Sequence, residues 1–312
     1  MDFEVRPAAV GDAPAVLELL QVTERDEFGS ADWTMGLLLD EWGDPRQNLP
    51  RNSFVAWAGG RPVAYGLVLD TSGSGHVQSD HYVRPNREHW PAGAAVLEQL
   101  TARSAQIALE TGNTEAVVTL GQLVAAPFAT SVLPGAGWHV ARKFVRMVRE
   151  LSEVDSVVPE LPAGLSVRTV DDDADRRSWH RLVTDSFSEH WGHEPESYQA
   201  FAQRFGARKS QDWSLWRLAS LDGEDVGMLG SQSPAPDQGV INTLGVLKAA
   251  RGKGVGSALL KVAFAEFARR GCDRVELMVD AENVTPALRV YEGAGMKAVW
   301  QADIWERTVP AS

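Results

Sequence analysis

Only one cysteine, Cys272, occurs among the 312 residues, so no internal disulfide is available and a reducing, cytoplasmic setting is expected. Cys272 stands where a strand is expected to open, and reads as a small buried hydrophobe rather than a nucleophile. No apolar run approaches the length of a membrane span. The acidic start Met1-Asp2-Phe3-Glu4 has no apolar segment behind it, so no signal peptide is expected. Positive charge is in deficit: 30 Lys and Arg stand against 42 Asp and Glu, a formal net charge of −12. That balance argues against a nucleic-acid partner or an anionic membrane surface, and favours small cationic partners such as amines. The length suits about two domains, and the apolar content is enough for sizeable cores.

A second scarcity is local. From Gln238 to Ala265 there is no Asp or Glu, while Lys248, Arg251, Lys253 and Lys261 all fall inside that window. At its centre lies Arg251-Gly252-Lys253-Gly254-Val255-Gly256, between the apolar Leu244-Gly245-Val246 and a helical pattern beginning near Ser257. Glycines at alternate positions let the backbone approach a ligand closely, with successive N–H groups facing one hollow. The loop runs into a helix N-terminus, where unpaired N–H groups and the positive dipole end favour an anion. A polyphosphate ligand fits this basic island.

A Walker A loop needs Gly-Lys-Ser/Thr, but Lys253 is followed by Gly254. A dinucleotide fingerprint needs G-x-G-x-x-G after the first strand of a unit, whereas G-x-G-x-G here sits in the last quarter of the chain. The stretch from Leu244 to Met296 resembles the GNAT superfamily of acetyl-CoA-dependent N-acetyltransferases. It carries V-x-x-x-x-R-G-x-G-x-G, then an amphipathic helix, a strand, Asn283, and the run Tyr291-Glu292 to Gly295-Met296. The resemblance implies acetyl-CoA as co-substrate, a small-molecule amine as acceptor, and a mixed α/β (α+β) sheet. It also implies a strand at Leu244, Gly245 and Val246 that bulges and splays from its neighbour to hold the pantetheine arm. An N–H near Val246 would meet the acetyl oxygen, and Gly245 suits a bulge.

The halves echo one another. Val5-Arg6 corresponds to Val167-Arg168, Gly60 and Val63 to Gly223 and Val226, and Val83 to Val246. Gly135-Ala136-Gly137 corresponds to Gly293-Ala294-Gly295, at nearly the same spacing. A duplicated domain is expected: residues 1–153, a linker over 154–164 broken by Pro159 and Pro162, and residues 165–312, giving two tandem GNAT domains. Where the second half has its glycine loop, the first reads Glu88-His89-Trp90-Pro91-Ala92-Gly93, and Leu133 stands in place of Tyr291. The N-terminal copy is therefore expected to be degenerate. In the second half, strands are expected at 165–170, 215–220, 226–231, 240–246 and 274–279, helices at 174–187 and from Ser257 to Gly271. A short helix capped by Thr285-Pro286 should run through Tyr291, before a final strand or two over 297–308.

The site expected from loop and resemblance comprises Leu244, Gly245, Val246, Arg251, Gly252, Lys253, Gly254, Val255, Gly256, Ser257, Asn283 and Tyr291. Tyr291 is the candidate donor to the departing thiolate, or else a core-packing ring; Asn283 holds the CoA arm or is a plain loop residue. No carboxylate occupies the strand Val240-Ile241-Asn242-Thr243, so the base is not identified. Glu189, His190 and Glu194 follow the first helix, where the resemblance places the acceptor, or form a solvated loop anchored by Trp191. His190 and His193 lack a third partner for a catalytic zinc, and no metal is expected. The Val279-Asp280-Ala281-Glu282-Asn283 run is similar to tandem members that acetylate an amino-sugar thiol precursor, where a strand Glu corresponds to Val240 here. Small-amine, aminoglycoside and protein N-terminal acceptors stay open, as do a monomer or homodimer and a non-catalytic acyl-CoA-binding role.

Overall fold

A computed structural model describes every residue except 1, 30, 45, 71–72, 125, 158–159, 189, 191–194 and 283–286. In chain order the elements are β1 (Glu4–Arg6), α1 (Ala13–Phe28), α2 (Met35–Trp42), α3 (Leu49–Asn52), β2 (Ser53–Ala58), β3 (Arg61–Asp70) and β4 (His76–Val83). There follow α4 (Trp90–Glu110), β5 (Glu115–Leu123), α5 (Pro127–Val132), β6 (His139–Glu150), β7 (Leu165–Thr169), α6 (Asp173–Phe187) and α7 (Tyr198–Ala207). The chain ends with β8 (Arg217–Leu221), β9 (Glu224–Ala235), β10 (Gln238–Val246), α8 (Val255–Arg269), β11 (Arg274–Asp280), α9 (Ala287–Gly293) and β12 (Lys297–Pro310). Two compact units result: Met1–Lys143 with Ala207–Lys209 and Gln301–Ser312, and Phe144–Gly206 with Ser210–Trp300.

The first unit is a mixed sheet. β1 to β4 are antiparallel neighbours, β4 and β5 run parallel, and the far edge of β5 is covered by the last strand, from Ala302 opposite Leu123 to Pro310 opposite Glu115. The core of α4 against this sheet includes Val96, Leu97, Leu100 and Ala108, joined by Trp305 and Val309 from the C-terminal strand.

The second unit repeats the plan. β7, β8, β9 and β10 are antiparallel neighbours, β10 and β11 run parallel, and β11 is flanked by the 144–150 stretch of β6, from Phe144 opposite Asp280 to Glu150 opposite Arg274. The hairpin between β8 and β9 turns at Asp222 (φ 52°) and Gly223 (φ 89°), both left-handed as a tight hairpin demands. At the start of α6, Asp172 accepts the Asp175 N–H at 2.9 Å as N-cap. Val255, Leu259, Leu260, Ala263, Phe264 and Phe267 form the buried stripe of α8. Burying each of its large apolar side chains is worth about 1.5–3 kcal/mol.

The strand bordering β11 thus comes from sequence preceding the residues expected as linker. Val145 and Met147 enter the same core as α8, and Arg146 pairs with buried Glu276. Arg149 donates to the Ala294 carbonyl at 2.7 Å, pairs with Asp155 and lies over the Phe264 ring at 4.8 Å. A fragment beginning at residue 160 leaves β11 with a bare edge and removes Val145 and Met147 from the core. It should lose cooperative thermal unfolding by circular dichroism, while one beginning at residue 140 retains a sigmoidal transition; equal cooperativity in both would show that 144–150 is dispensable.

Candidate active site

Only four register pairs join β10 to β11, from Gln238 opposite Arg274 to Ile241 opposite Leu277. Beyond them β10 stays on β9 as far as Val246 opposite Gly227, and β11 stays on β6 as far as Asp280 opposite Phe144. The strands therefore diverge, leaving a wedge with main-chain groups on its walls. The irregularities in β10 fall between Gln238 and Val240 and between Ile241 and Thr243, rather than at Gly245. Gly245 lies in regular register opposite Met228, and its lack of a side chain has another cause. A Cβ there would lie 2.6 Å from Met228 Cε and 3.0 Å from Phe187 Cε2, besides striking the Ser186 hydroxyl.

The wedge opens into a cavity of about 600 Å³. Leu244, Gly245 and Val246 form one wall, Met278, Val279 and Asp280 the other, with the Arg251–Ser257 loop and Tyr291 of α9 closing it. Gly252 (φ 78°) and Gly254 (φ 80°) adopt left-handed backbone that turns the chain into α8. Gly254 is the N-cap, no side chain caps the helix, and its first turn carries no acid. The first bond into the helix runs from the Ala258 N–H to the Gly254 carbonyl at 3.0 Å. The amides of Val255, Gly256 and Ser257 have no hydrogen-bond partner among the described residues. Three uncapped donors at the positive end of a helix, beside an open cavity, suit a phosphate-bearing ligand.

Arg251 does more than add charge. Its guanidinium donates to the Val246 carbonyl at 3.2 Å and the Ser186 carbonyl at 3.4 Å, tying the end of β10 to the end of α6. Lys253 is exposed and does not line the cavity. Gly256 lies under Val290 and Val246, where a Cβ would make ordinary contacts at 3.6 and 3.8 Å.

Tyr291 is 9% exposed and lines the cavity, and its hydroxyl has no hydrogen-bond partner among the described residues. Burial pushes its phenol up to about 12, because the phenolate is poorly solvated there. The Arg149 bond to Ala294 anchors the chain directly after α9, fixing the helix that carries Tyr291. His190 also lines the cavity, its ring centroid 4.7 Å from that of Phe187. Asn283, Glu189 and Glu194 lie outside the described residues. Among the described residues no group of three or more potential metal ligands occurs, and no helix is long and apolar enough to cross a membrane.

Phe144 and Arg289 line the cavity although nothing in their local sequence marked them, and Asp280, noted only as part of the run from Val279, lines it as well. Phe144 arrives on the strand from the preceding half, which no motif indicates. Asp280 is the one carboxylate among the described lining residues. Its position at the C-terminal end of a strand leading out of the wedge was the available signal.

The corresponding place in the first unit is built differently. β4 and β5 pair from His76 opposite Val117 to Ser79 opposite Leu120, after which the Gln122 side-chain amide donates to the His81 carbonyl at 3.0 Å. The buried His81 ring bonds to the Gly93 carbonyl at 2.8 Å and packs 5.1 Å from Phe128. Burial drives its pKa down to about 4, keeping it neutral. Leu133 is fully buried in the core, and Pro91 occupies the start of α4.

Residues 176–296 match the acetyltransferase (GNAT) family. The chain is 29% identical over 300 residues to a mycothiol acetyltransferase of Streptomyces griseus, covering 95% of this chain and 92% of that one. It is 28% identical over 302 residues to the mycothiol acetyltransferase of Streptomyces avermitilis, covering 96% and 92%. In fold it is similar to a GCN5-related N-acetyltransferase from Sphaerobacter thermophilus, with a TM-score of 0.82 at 24% identity over 99% of this chain and 96% of that one. A tandem GNAT protein from the clavulanic acid biosynthesis pathway also matches, with a TM-score of 0.69 at 21% identity over 100% and 99%. GNAT acetyltransferases use acetyl-CoA as co-substrate; residues 176–296 match that family of N-acetyltransferases, and the fold of the chain is that of tandem GNAT proteins.

Proposed function

We propose that the second unit binds acetyl-CoA in the wedge between β10 and β11 and transfers its acetyl group to a primary amine by direct attack on the thioester. The carrying observation is the coincidence of unpaired β10 backbone, the uncapped start of α8 and the unpartnered Tyr291 hydroxyl around one cavity. In this reading the Val255, Gly256 and Ser257 amides hold the pyrophosphate, with Gly252 and Gly254 letting the backbone close on it and Lys253 adding outer charge. Arg251 sets the end of the β10 wall, Leu244 and Gly245 face the pantetheine arm with Asn283, and the Val246 main chain meets the acetyl oxygen. Donors fixed before the reaction stabilise developing charge without reorganising.

Tyr291 faces the departing sulfur. A free phenol near 10 and a thiol near 8.5 differ by about 1.5 units, or roughly 2 kcal/mol against full proton transfer. With its phenol at about 12, Tyr291 stays protonated through any working pH and serves as a hydrogen-bond donor to the thiolate. Acceptor recognition is assigned to the segment with Glu189, His190 and Glu194; His190 lines the cavity. The first unit is read as a degenerate copy, a view supported by its bridged strands and by Leu133 where the second unit has Tyr291.

An acceptor of the mycothiol type is compatible with this site, on the same footing as other small amines, aminoglycosides or protein N-termini. It is supported by relatives of that name aligned along 95% of the chain and by the Val279–Asn283 run, although Val240 replaces a carboxylate position. A cytoplasmic location accords with the single cysteine.

Gly254→Val forces a β-branched residue into left-handed backbone, at about 1–2 kcal/mol, and turns the helix amides out of line. Calorimetry should show acetyl-CoA affinity reduced at least tenfold, about 1.4 kcal/mol, with the fold retained by circular dichroism; unchanged affinity would remove the loop from the site. Tyr291→Phe keeps the ring packing and removes one hydroxyl. Its kcat should fall by about 10²–10⁴-fold or somewhat less, with KM for acetyl-CoA nearly constant. Because Tyr291 titrates only near 12, the pH profile from about 6 to 9 should keep its shape. A variant retaining more than about half of wild-type kcat, with chemistry rate-limiting, would leave Tyr291 a packing residue.

A further inference from the structure

An alkyl ammonium, with a pKa near that of lysine at about 10.4, must lose a proton before its nitrogen can attack a carbonyl. No described residue of β10 offers a carboxylate for this: the strand reads Gln238-Gly239-Val240-Ile241-Asn242-Thr243-Leu244-Gly245-Val246. We infer that Asp280, at the end of the opposite wall, receives that proton and holds the acceptor's ammonium group. This rests on the acetyltransfer reading of the same cavity and names the group that selects its cationic substrate.

Three observations place Asp280 for the task. It lines the cavity at the tip of β11, beyond the last pair with β10 and directly opposite Phe144 of β6. Alternation along β11 sends Val275, Leu277 and Val279 into the core shared with α8, so Glu276, Met278 and Asp280 share the other face. Asp280 therefore reaches the wedge from the face opposite α8, whose start is assigned to the phosphates, and the amine meets the thioester from the free side. Lastly, one carboxylate oxygen accepts the Glu282 N–H at 2.8 Å, fixing the side chain, while the other has no partner among the described residues.

The proton balance closes. The ammonium gives one proton to Asp280, directly or through one water. The neutral nitrogen forms its bond to the acetyl carbon as the carbon–sulfur bond breaks. The nitrogen's surplus proton ends on sulfur, assisted by the Tyr291 hydroxyl, and the Asp280 proton passes to solvent. Charged or titratable groups around Asp280 are His190, Arg251, Arg289 and Tyr291 on the cavity wall, Glu282 two residues on, and the Arg146–Glu276 pair on the same sheet face.

Asp280→Asn tests this in the full chain, since the amide oxygen can still accept the Glu282 N–H while the negative charge is gone. The acceptors are the primary alkyl amine that the wild type acetylates fastest in an amine panel, and methoxyamine, which is already neutral at pH 7. Acetyl-CoA affinity by calorimetry should change less than about threefold. The kcat/KM for the alkyl amine at pH 7 should fall about 10²-fold or more, then recover nearly tenfold per pH unit as the free amine is supplied by solvent. Methoxyamine turnover should stay within about threefold of wild type. Asp280→Ser also offers the Glu282 N–H an acceptor and carries the same expectations should the Asn variant fold poorly. A pH profile parallel to wild type, or an equal loss with both acceptors, overturns the role of Asp280. Absence of any amine acetylation by the wild type would instead defeat the acetyltransfer reading itself.

Discussion

The site depends on the parting of β10 from β11 after Ile241. In an uninterrupted parallel pair the next main-chain groups would bond to each other; here they face a cavity. Backbone donors and acceptors removed from water without partners cost about 1–3 kcal/mol each, so such an opening persists only where neighbours hold both strands. β9 holds β10 to its last residue and β6 holds β11 to its last. Arg251 then fastens the Val246 carbonyl to the end of α6, and Gly245 lets Met228, Ser186 and Phe187 close against the strand. The amides that face the cavity are thus fixed in advance, so a ligand bound there would not have to order them.

Half of that restraint comes from a strand supplied by the earlier part of the chain. Residues 144–150 close the β11 edge, contribute Val145 and Met147 to the core, and place Phe144 beside Asp280. Arg149 reaches the carbonyl after α9, so the same strand steadies the helix of Tyr291. In reciprocal fashion, Gln301–Ser312 covers β5 in the first unit and contributes Trp305 and Val309. Each unit is thus finished by a strand from the other end of the sequence.

Local chemistry was legible in the sequence, and long-range pairing was not. The glycine loop, the acid-free window and Tyr291 were visible because each depends on neighbours within a few residues, and the hairpin at Asp222-Gly223 likewise. α7 went unread: Tyr198, Phe201 and Phe205 form a short apolar stripe in a polar stretch whose reason is the aromatic cluster with Trp179, Trp213 and Trp216. Gly245 pointed to a bulge because glycine serves close packing equally well. Arg251 showed as charge, while its role as a clamp needs the Ser186 carbonyl, far away in sequence. Phe144 and Asp280 meet only through the strand exchange, which no periodicity encodes.

The most direct measurement is the stoichiometry of acetyl-CoA binding to the intact chain by calorimetry. A wedge open in the second unit and bridged through Gln122, His81 and Phe128 in the first predicts one equivalent per chain, bound in a single transition. Two equivalents, or one equivalent that survives disruption of the Arg251–Ser257 turn, would contradict the assignment of the site to the splayed strands of the second unit.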